Sequence, residues 1–258
     1  MNAIAIYKKL PKKNCGECRQ NTCMSFAFSL MKGEAEPHDC PYLNQDEITE
    51  LKKQIVRTDW REDLILKLRT DVRGIDYSEV AGHIGAKLKD NALMLKCMGR
   101  EFVIDAGGEI TTQGPITPWI KILLLHYIKT GGKAESSGTW VSFSELKSGM
   151  VKATSFIRDC EEPFREMFDR DLQRVDSILS RYGALKRDDF PTQYAWYVIL
   201  LPKVPVVILY WSADSEFGSK VKILLDSTAD KFLDVESLMF LVEGLVYNVE
   251  AALERPEK

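Results

Sequence analysis

The spacing of apolar positions divides this chain into a short N-terminal part and a longer body. Thr22 can cap a helix through Cys23, Phe26, Ala27, Leu30 and Met31, and Gly33 can end it. Asn44 with Glu47 reads as a capping pair, with Ile48, Leu51 and Ile55 at helical spacing behind it. Trp60 to Val72 places Leu64, Leu68 and Val72 on one side of a helix that ends near Gly74, and Tyr77 to Leu88 reads as a further helix.

Strand character begins at Ala92 to Cys97, turns at Gly99 and resumes at Phe102 to Ile104, before the turn at Gly107-Gly108. Thr117, Pro118 and Gly131 bracket a helix that is apolar nearly all round, which belongs in the centre of a fold. Trp140 to Phe143 is predicted as a strand, and Pro163 to Tyr182 as a charged amphipathic helix. The runs Tyr194 to Leu201 and Val204 to Trp211 flank Pro202-Lys203 as a hairpin, and Val221 to Leu225 continues the sheet. Asp234 can cap a last helix carrying Val235, Leu238, Val242, Leu245, Val249 and Leu253. Clustered strands with flanking helices predict an α+β fold in which a small cluster domain precedes a larger mixed sheet. The predicted organisation is 1–43 cluster-binding domain, 44–59 linker helix and 60–258 body.

Composition narrows the class. The 258 residues are 45% hydrophobic, enough for a sizeable core, and the net charge is −3. Residues 1–43 hold six Lys/Arg against four Asp/Glu, so the remainder carries −5, and neither part is basic enough for nucleic acid. No apolar stretch reaches the roughly 18 to 20 residues of a membrane span. Six cysteines are too few for a disulfide scaffold, and Met1 to Lys13 lacks a secretory apolar run, so a reducing, cytoplasmic setting is expected.

Four of those cysteines carry the chemistry. Cys15, Cys18, Cys23 and Cys40 stand as C-x2-C-x4-C-x16-C, with Pro41 directly after the last. Close thiolates plus a distant Cys before proline suit an iron-sulfur cube. Structural zinc sites more often pair two C-x2-C knuckles, and zinc stays as the rival reading. Gly16 permits a sharp turn in the first knuckle, and a helix beginning at Cys23 is expected to aim its first amides at an anionic cluster. Lys8, Lys9, Lys12 and Lys13 precede the loop as a solvated face or a partial charge balance. His38 is a spare donor beside Cys40.

The run from Leu10 through Cys15, Cys18 and Cys23 to Ala27, with Cys40-Pro41, resembles the small 4Fe-4S domain of the corrinoid iron-sulfur protein large subunit. That resemblance implies one 4Fe-4S cluster held by Cys15, Cys18, Cys23 and Cys40, whose electron reactivates an oxidised corrinoid. It covers about the first 43 residues, and nothing later resembles that family's barrel or corrinoid-binding domain. From about Trp60 the chain resembles a prokaryotic domain family of unknown function often fused behind this module. The residues concerned are Ile122 to Tyr127, Trp140 to Leu146, Pro202 to Pro205, Trp211 to Phe217 and Ile223 to Asp226.

The body offers little catalysis. His126 reads as a hydrogen-bonded core histidine, and His83 lacks the D-x-H-x-x-G context of corrinoid ligation because Ala81 stands where Asp should. Asp214, Glu216 and Asp226 read as turn or solvated carboxylates, with a cation or a basic partner as the other option. Cys97 and Cys160 read as buried thiols. Two functional classes stay open. One is an electron-transfer protein serving a corrinoid, in its own body or on a corrinoid protein or methyltransferase, in anaerobic one-carbon metabolism. The other is an interaction or sensory protein with a structural metal. An enzyme with catalytic residues of its own is not indicated, and sequence gives no oligomeric state.

Overall fold

The computed structural model describes residues 3–55 and 60–255, and the chain divides into two units, Met1–Lys67 and Leu68–Lys258. The first contains α1 (Ala3–Lys9), α2 (Cys23–Lys32), a 3-10 turn (Pro37–Asp39) and α3 (Gln45–Gln54). The helix α4 (Trp60–Val72) has the predicted bounds, and the division between the units falls inside it.

The capping chemistry starts α2 where the sequence says. The Thr22 hydroxyl accepts the Ser25 N–H at 3.0 Å, the Ser25 hydroxyl accepts the Thr22 N–H at 3.1 Å, and Gly33 ends the helix at φ +74°. Asn44 and Glu47 exchange the corresponding pair of bonds at the start of α3. Ile6, Leu10, Phe26, Leu30, Leu43, Leu51 and Ile55 bury one apolar core together with Cys23 and Cys40. The helix read as a linker therefore packs into this core through Leu51 and Ile55, while its last positions, 56–59, lie outside the described residues. Lys9 reaches Glu50 at 2.5 Å and Gln54 at 2.8 Å, tying α1, which the pattern did not reveal, to α3.

The second unit is α+β. It opens with α5 (Tyr77–His83) and an antiparallel sheet whose strands, β1 (Lys87–Lys89), β2 (Ala92–Cys97), β3 (Arg100–Ile104) and β4 (Ile110–Thr111), lie in chain order. Next come α6 (Pro118–Thr130), β5 (Trp140–Ser142), α7 (Gly149–Phe156), a π-turn (Ile157–Glu161) and α8 (Glu162–Arg181). The strands β6 (Leu185–Arg187), β7 (Tyr194–Leu201), β8 (Val204–Trp211) and β9 (Lys220–Asp226) join β5 in the order β5-β9-β8-β7-β6, and α9 (Val235–Leu253) closes the unit.

Three details differ from the sequence reading. The strands form two sheets, antiparallel at every described pairing, where one mixed sheet was expected. Short links such as Pro202-Lys203 and Met98-Gly99 allow only an antiparallel return, because a parallel neighbour needs a crossover of a dozen or more residues. The helix expected to reach Leu88 stops at His83, since Gly85 turns left-handed at φ +67° with its Cα hydrogen against Pro202, where a Cβ would come within 2.7 Å. The helix expected over Pro163 to Tyr182 breaks at Asp171, whose carboxylate recaps the second half through the Arg174 N–H at 3.0 Å.

Aromatic packing joins α8 to the five-stranded sheet. Phe168 stacks on Trp196 at 4.7 Å and on Tyr210 at 4.9 Å, while Trp196 donates to Asp176 and Tyr210 to Asp169, each at 2.8 Å. Glu161, buried in the π-turn, accepts the Ile223 N–H at 3.1 Å and so caps the stretch of β9 that β5 does not reach. In α6, Tyr127 is fully buried, donates to the Ile84 carbonyl at 2.8 Å and accepts the Lys203 N–H at 3.1 Å. Among the described residues no helix is long and apolar enough to cross a membrane.

Replacing Tyr127 by Phe strands the Lys203 N–H and the Ile84 carbonyl, and should lower stability by about 1–3 kcal/mol in urea unfolding. The N-cap carboxylate Asp234 gives a pH signature. It accepts the Ser237 N–H at 2.7 Å and lies 3.6 Å from His126 Nδ1. His126 chiefly, and Ser237 after it, hold the Asp234 carboxyl down at about 2 against the opposing effect of burial. A carboxyl depressed from its unfolded value of 3.8 adds stability above that value and loses it as pH falls toward about 2. Between about pH 4 and pH 2 the urea midpoint of the native protein should therefore drop more steeply than that of Asp234→Asn, whose amide caps without titrating.

Candidate metal centre

The loop between α1 and α2 alternates the sign of its backbone φ. Lys12 (+58°), Asn14 (+49°) and Gly16 (+79°) are left-handed while Lys13 and Cys15 between them are not, and Arg19 (+63°) turns once more. Alternation of this kind curls consecutive N–H groups into a concavity that favours anions, including iron-sulfur clusters. Pro11 keeps α1 from running into the loop by removing a helical N–H.

Cys15, Cys18, Cys23 and Cys40 line one cavity, together with Leu10, Pro11, Phe26 and Tyr42. Cys23 and Cys40 belong to the buried core, Cys18 is half-buried and Cys15 is exposed, so the cavity has a closed side and an open one. Burial pushes the Cys40 thiol up; the Tyr42 N–H opposes that shift, and the other three cysteines add to it. Thiols arranged so would repel one another once ionised, and a bound cationic centre removes that penalty by taking them as thiolates.

No three His, Cys, Asp or Glu side chains among the described residues converge closely enough to hold a metal ion. A single ion and a cluster require different ligand spacings. A lone tetrahedral ion with Zn–S bonds of about 2.3 Å draws its sulfurs to about 3.8 Å from one another. A cube seats each thiolate on its own iron and spaces them wider. Four cysteines lining one cavity are the donor set that an iron-sulfur cluster takes.

Hydrogen bonds to sulfur come from the loops. The Asn14 N–H donates to Cys23 Sγ at 3.4 Å, and the Tyr42 N–H favours the Cys40 thiolate. At the start of α2, Asn14 Oδ1 takes the Cys23 N–H at 2.8 Å and Thr22 takes the Ser25 N–H. Tyr42 also donates its hydroxyl to Glu17 at 2.7 Å, and Lys13 Nζ lies 3.5 Å from the centre of its ring. The segment after Cys40 is thereby fastened to the Cys15–Cys18 knuckle. Asn14, Glu17 and Tyr42 were not singled out from the sequence, although an Asn before a turn glycine is a known left-handed residue. His38 is exposed and faces Asp39 at 3.6 Å.

The other sequence candidates are placed elsewhere in the fold. His83 is exposed at the end of α5, and His126 faces the N-cap of α9. Asp214 closes a turn by accepting the Glu216 and Phe217 N–H groups. Asp226 is buried and accepts donors from Ser137, Gly138 and Thr228, so its oxygens organise a loop. Cys97 and Cys160 are buried, and burial pushes the Cys97 thiol up to about 12 and the Cys160 thiol up as well.

Residues 76–248 match the family described as "Domain of unknown function (DUF3786)". The chain belongs to that family. Residues 10–42 match a second family, described as "Putative Fe-S cluster". In this N-terminal part the chain is 50% identical over 44 residues to the corrinoid/iron-sulfur protein large subunit of Moorella thermoacetica, a match covering 17% of this chain and 10% of that one. It is 43% identical over 53 residues to the acetyl-CoA decarbonylase/synthase complex subunit gamma of Methanopyrus kandleri, covering 20% and 12%. The matched stretch is thus about a tenth of those relatives' own length. No solved structure matches the chain. An iron-sulfur domain similar to those of corrinoid/iron-sulfur subunits is therefore joined to a larger family domain of unknown function.

Gly16 tests the loop geometry directly. Nothing lies within 4 Å of the place its Cβ would take, so Gly16→Ala meets only the left-handed backbone penalty. The expected loss is about 1–2 kcal/mol in the first unit's urea transition, with the second unit's transition unmoved.

Proposed function

We propose that this protein is an electron-transfer module whose Cys15, Cys18, Cys23 and Cys40 hold a 4Fe-4S cluster, and which donates single electrons to a corrinoid in one-carbon metabolism. When bound, the cluster supplies one-electron redox chemistry. The observation that carries the reading is the gathering of all four cysteines of C-x2-C-x4-C-x16-C around one cavity, beside a loop of alternating φ.

The surrounding residues divide the remaining tasks. Leu10, Pro11 and Phe26 exclude water from the closed side, and solvation around a site of this kind shifts its potential. Main-chain N–H groups of Asn14 and Tyr42 support the buried Cys23 and Cys40 sulfurs as thiolates. Cys15 keeps the opposite side open to solvent, where an acceptor can approach. A corrinoid acceptor is supported by the names of the relatives, which are subunits of a corrinoid/iron-sulfur protein and of a decarbonylase/synthase complex. The acceptor sits in the second unit or on a partner protein.

Anaerobic reconstitution with iron and sulfide should load about four irons and four sulfides per chain and give a chromophore that dithionite bleaches. Alanine at Cys15, Cys18, Cys23 or Cys40 should abolish that chromophore, whereas Cys97→Ala and Cys160→Ala should keep it. The reduced protein should then convert Co(II) cobalamin to Co(I), about one per chain. One zinc and no sulfide would refute the cluster. A loaded protein that leaves cobalamin untouched would refute the corrinoid as acceptor.

A further inference from the structure

Asn14 is bound to Cys23 in both directions. Its carboxamide oxygen accepts the Cys23 N–H at 2.8 Å, and its own N–H donates to Cys23 Sγ at 3.4 Å. One residue thus fixes both the main chain and the sulfur of a buried cysteine nine positions away. Cys23 is also the first residue of α2, so the same two bonds dock the left-handed loop onto the start of that helix.

The side chain suits the position for two reasons. At φ +49° most side chains are strained, and Asn is among the few that tolerate this region. Its short amide also places a carbonyl oxygen within reach of a main-chain donor. Asp shares both properties and adds a negative charge. Glycine keeps the backbone and the N–H···S bond but removes the acceptor.

We propose that Asn14 is a positioning residue for the cluster: through its bonds to Cys23 it holds that sulfur in its ligating orientation. This rests on the 4Fe-4S reading above. Groups that orient a metal ligand in this way change metal affinity by about 10–100-fold when removed.

The full chain, Asn14→Gly and Asn14→Asp are reconstituted anaerobically. For each, the rate of iron loss to excess bathophenanthroline disulfonate, the electron paramagnetic resonance spectrum of the reduced form and the midpoint potential are measured. Asn14→Gly should lose iron about tenfold faster and show a broadened resonance. Asn14→Asp should restore resistance to the chelator, because the acceptor is kept. Its added charge should also move the reduction equilibrium about tenfold toward the oxidised form, about 59 mV for one electron.

Wild-type chelator kinetics and resonance in Asn14→Gly would overturn the proposal, as would an Asn14→Asp that leaks iron as fast as Asn14→Gly. If Asn14→Gly takes up no iron at all, Asn14→Asp decides: retained iron with a shifted potential supports the role, and an unshifted potential overturns it. A native chain that binds no iron and sulfide refutes the cluster itself, an outcome distinct from a loaded native chain with unaltered variants.

Discussion

Four thiols line one cavity in the first unit, two of them buried in its core and one exposed, and ionised sulfurs around one cavity repel one another. The rise in the Cys40 thiol, due first to burial and then to its three neighbours, is the electrostatic trace of it. Left-handed turns at Lys12, Asn14 and Gly16 curl the loop, and the Asn14 N–H donates to Cys23 Sγ. The apolar core of Ile6, Phe26, Leu30, Leu51 and Ile55 then supplies the rigid backing that a loop without regular structure lacks.

Small size makes that backing costly to assemble. A unit of under seventy residues buries a limited core, and here α1, α2 and α3 are each ten residues or fewer. Reciprocal caps at Thr22–Ser25 and Asn44–Glu47 and the Lys9–Glu50 contact reinforce those helices locally. A metal centre adds binding free energy to folding, which is a common way for such a domain to become stable.

The second unit shows the opposite economy. Three of its buried polar side chains have structural partners: Tyr127 serves Ile84 and Lys203, Glu161 caps β9, and Asp226 gathers the loop at Ser137 and Gly138. Side chains committed in this way hold a scaffold together: His126 faces the cap of α9, Asp226 organises a loop and Asp214 closes a turn. The unit supplies a stable α+β body for an activity that its own family description leaves undefined.

The sequence by itself determined the elements whose causes are local. Thr22, Asn44, Thr117 and Asp234 mark helix starts by their side-chain acceptors, and Pro202-Lys203 fixes a hairpin by its length. It also marked residues 10–42 as an iron-sulfur domain, because cysteine spacing is a property of the chain. Tertiary structure alone decided the rest. It split the strands into two antiparallel sheets, ended α5 at Gly85 through close packing on Pro202, and broke α8 at Asp171. It also gave the Cys23 N–H, at the start of α2, to the Asn14 carboxamide. Each of those outcomes depends on a group distant in sequence or on a backbone angle, and neither leaves a periodic mark on the order of residues.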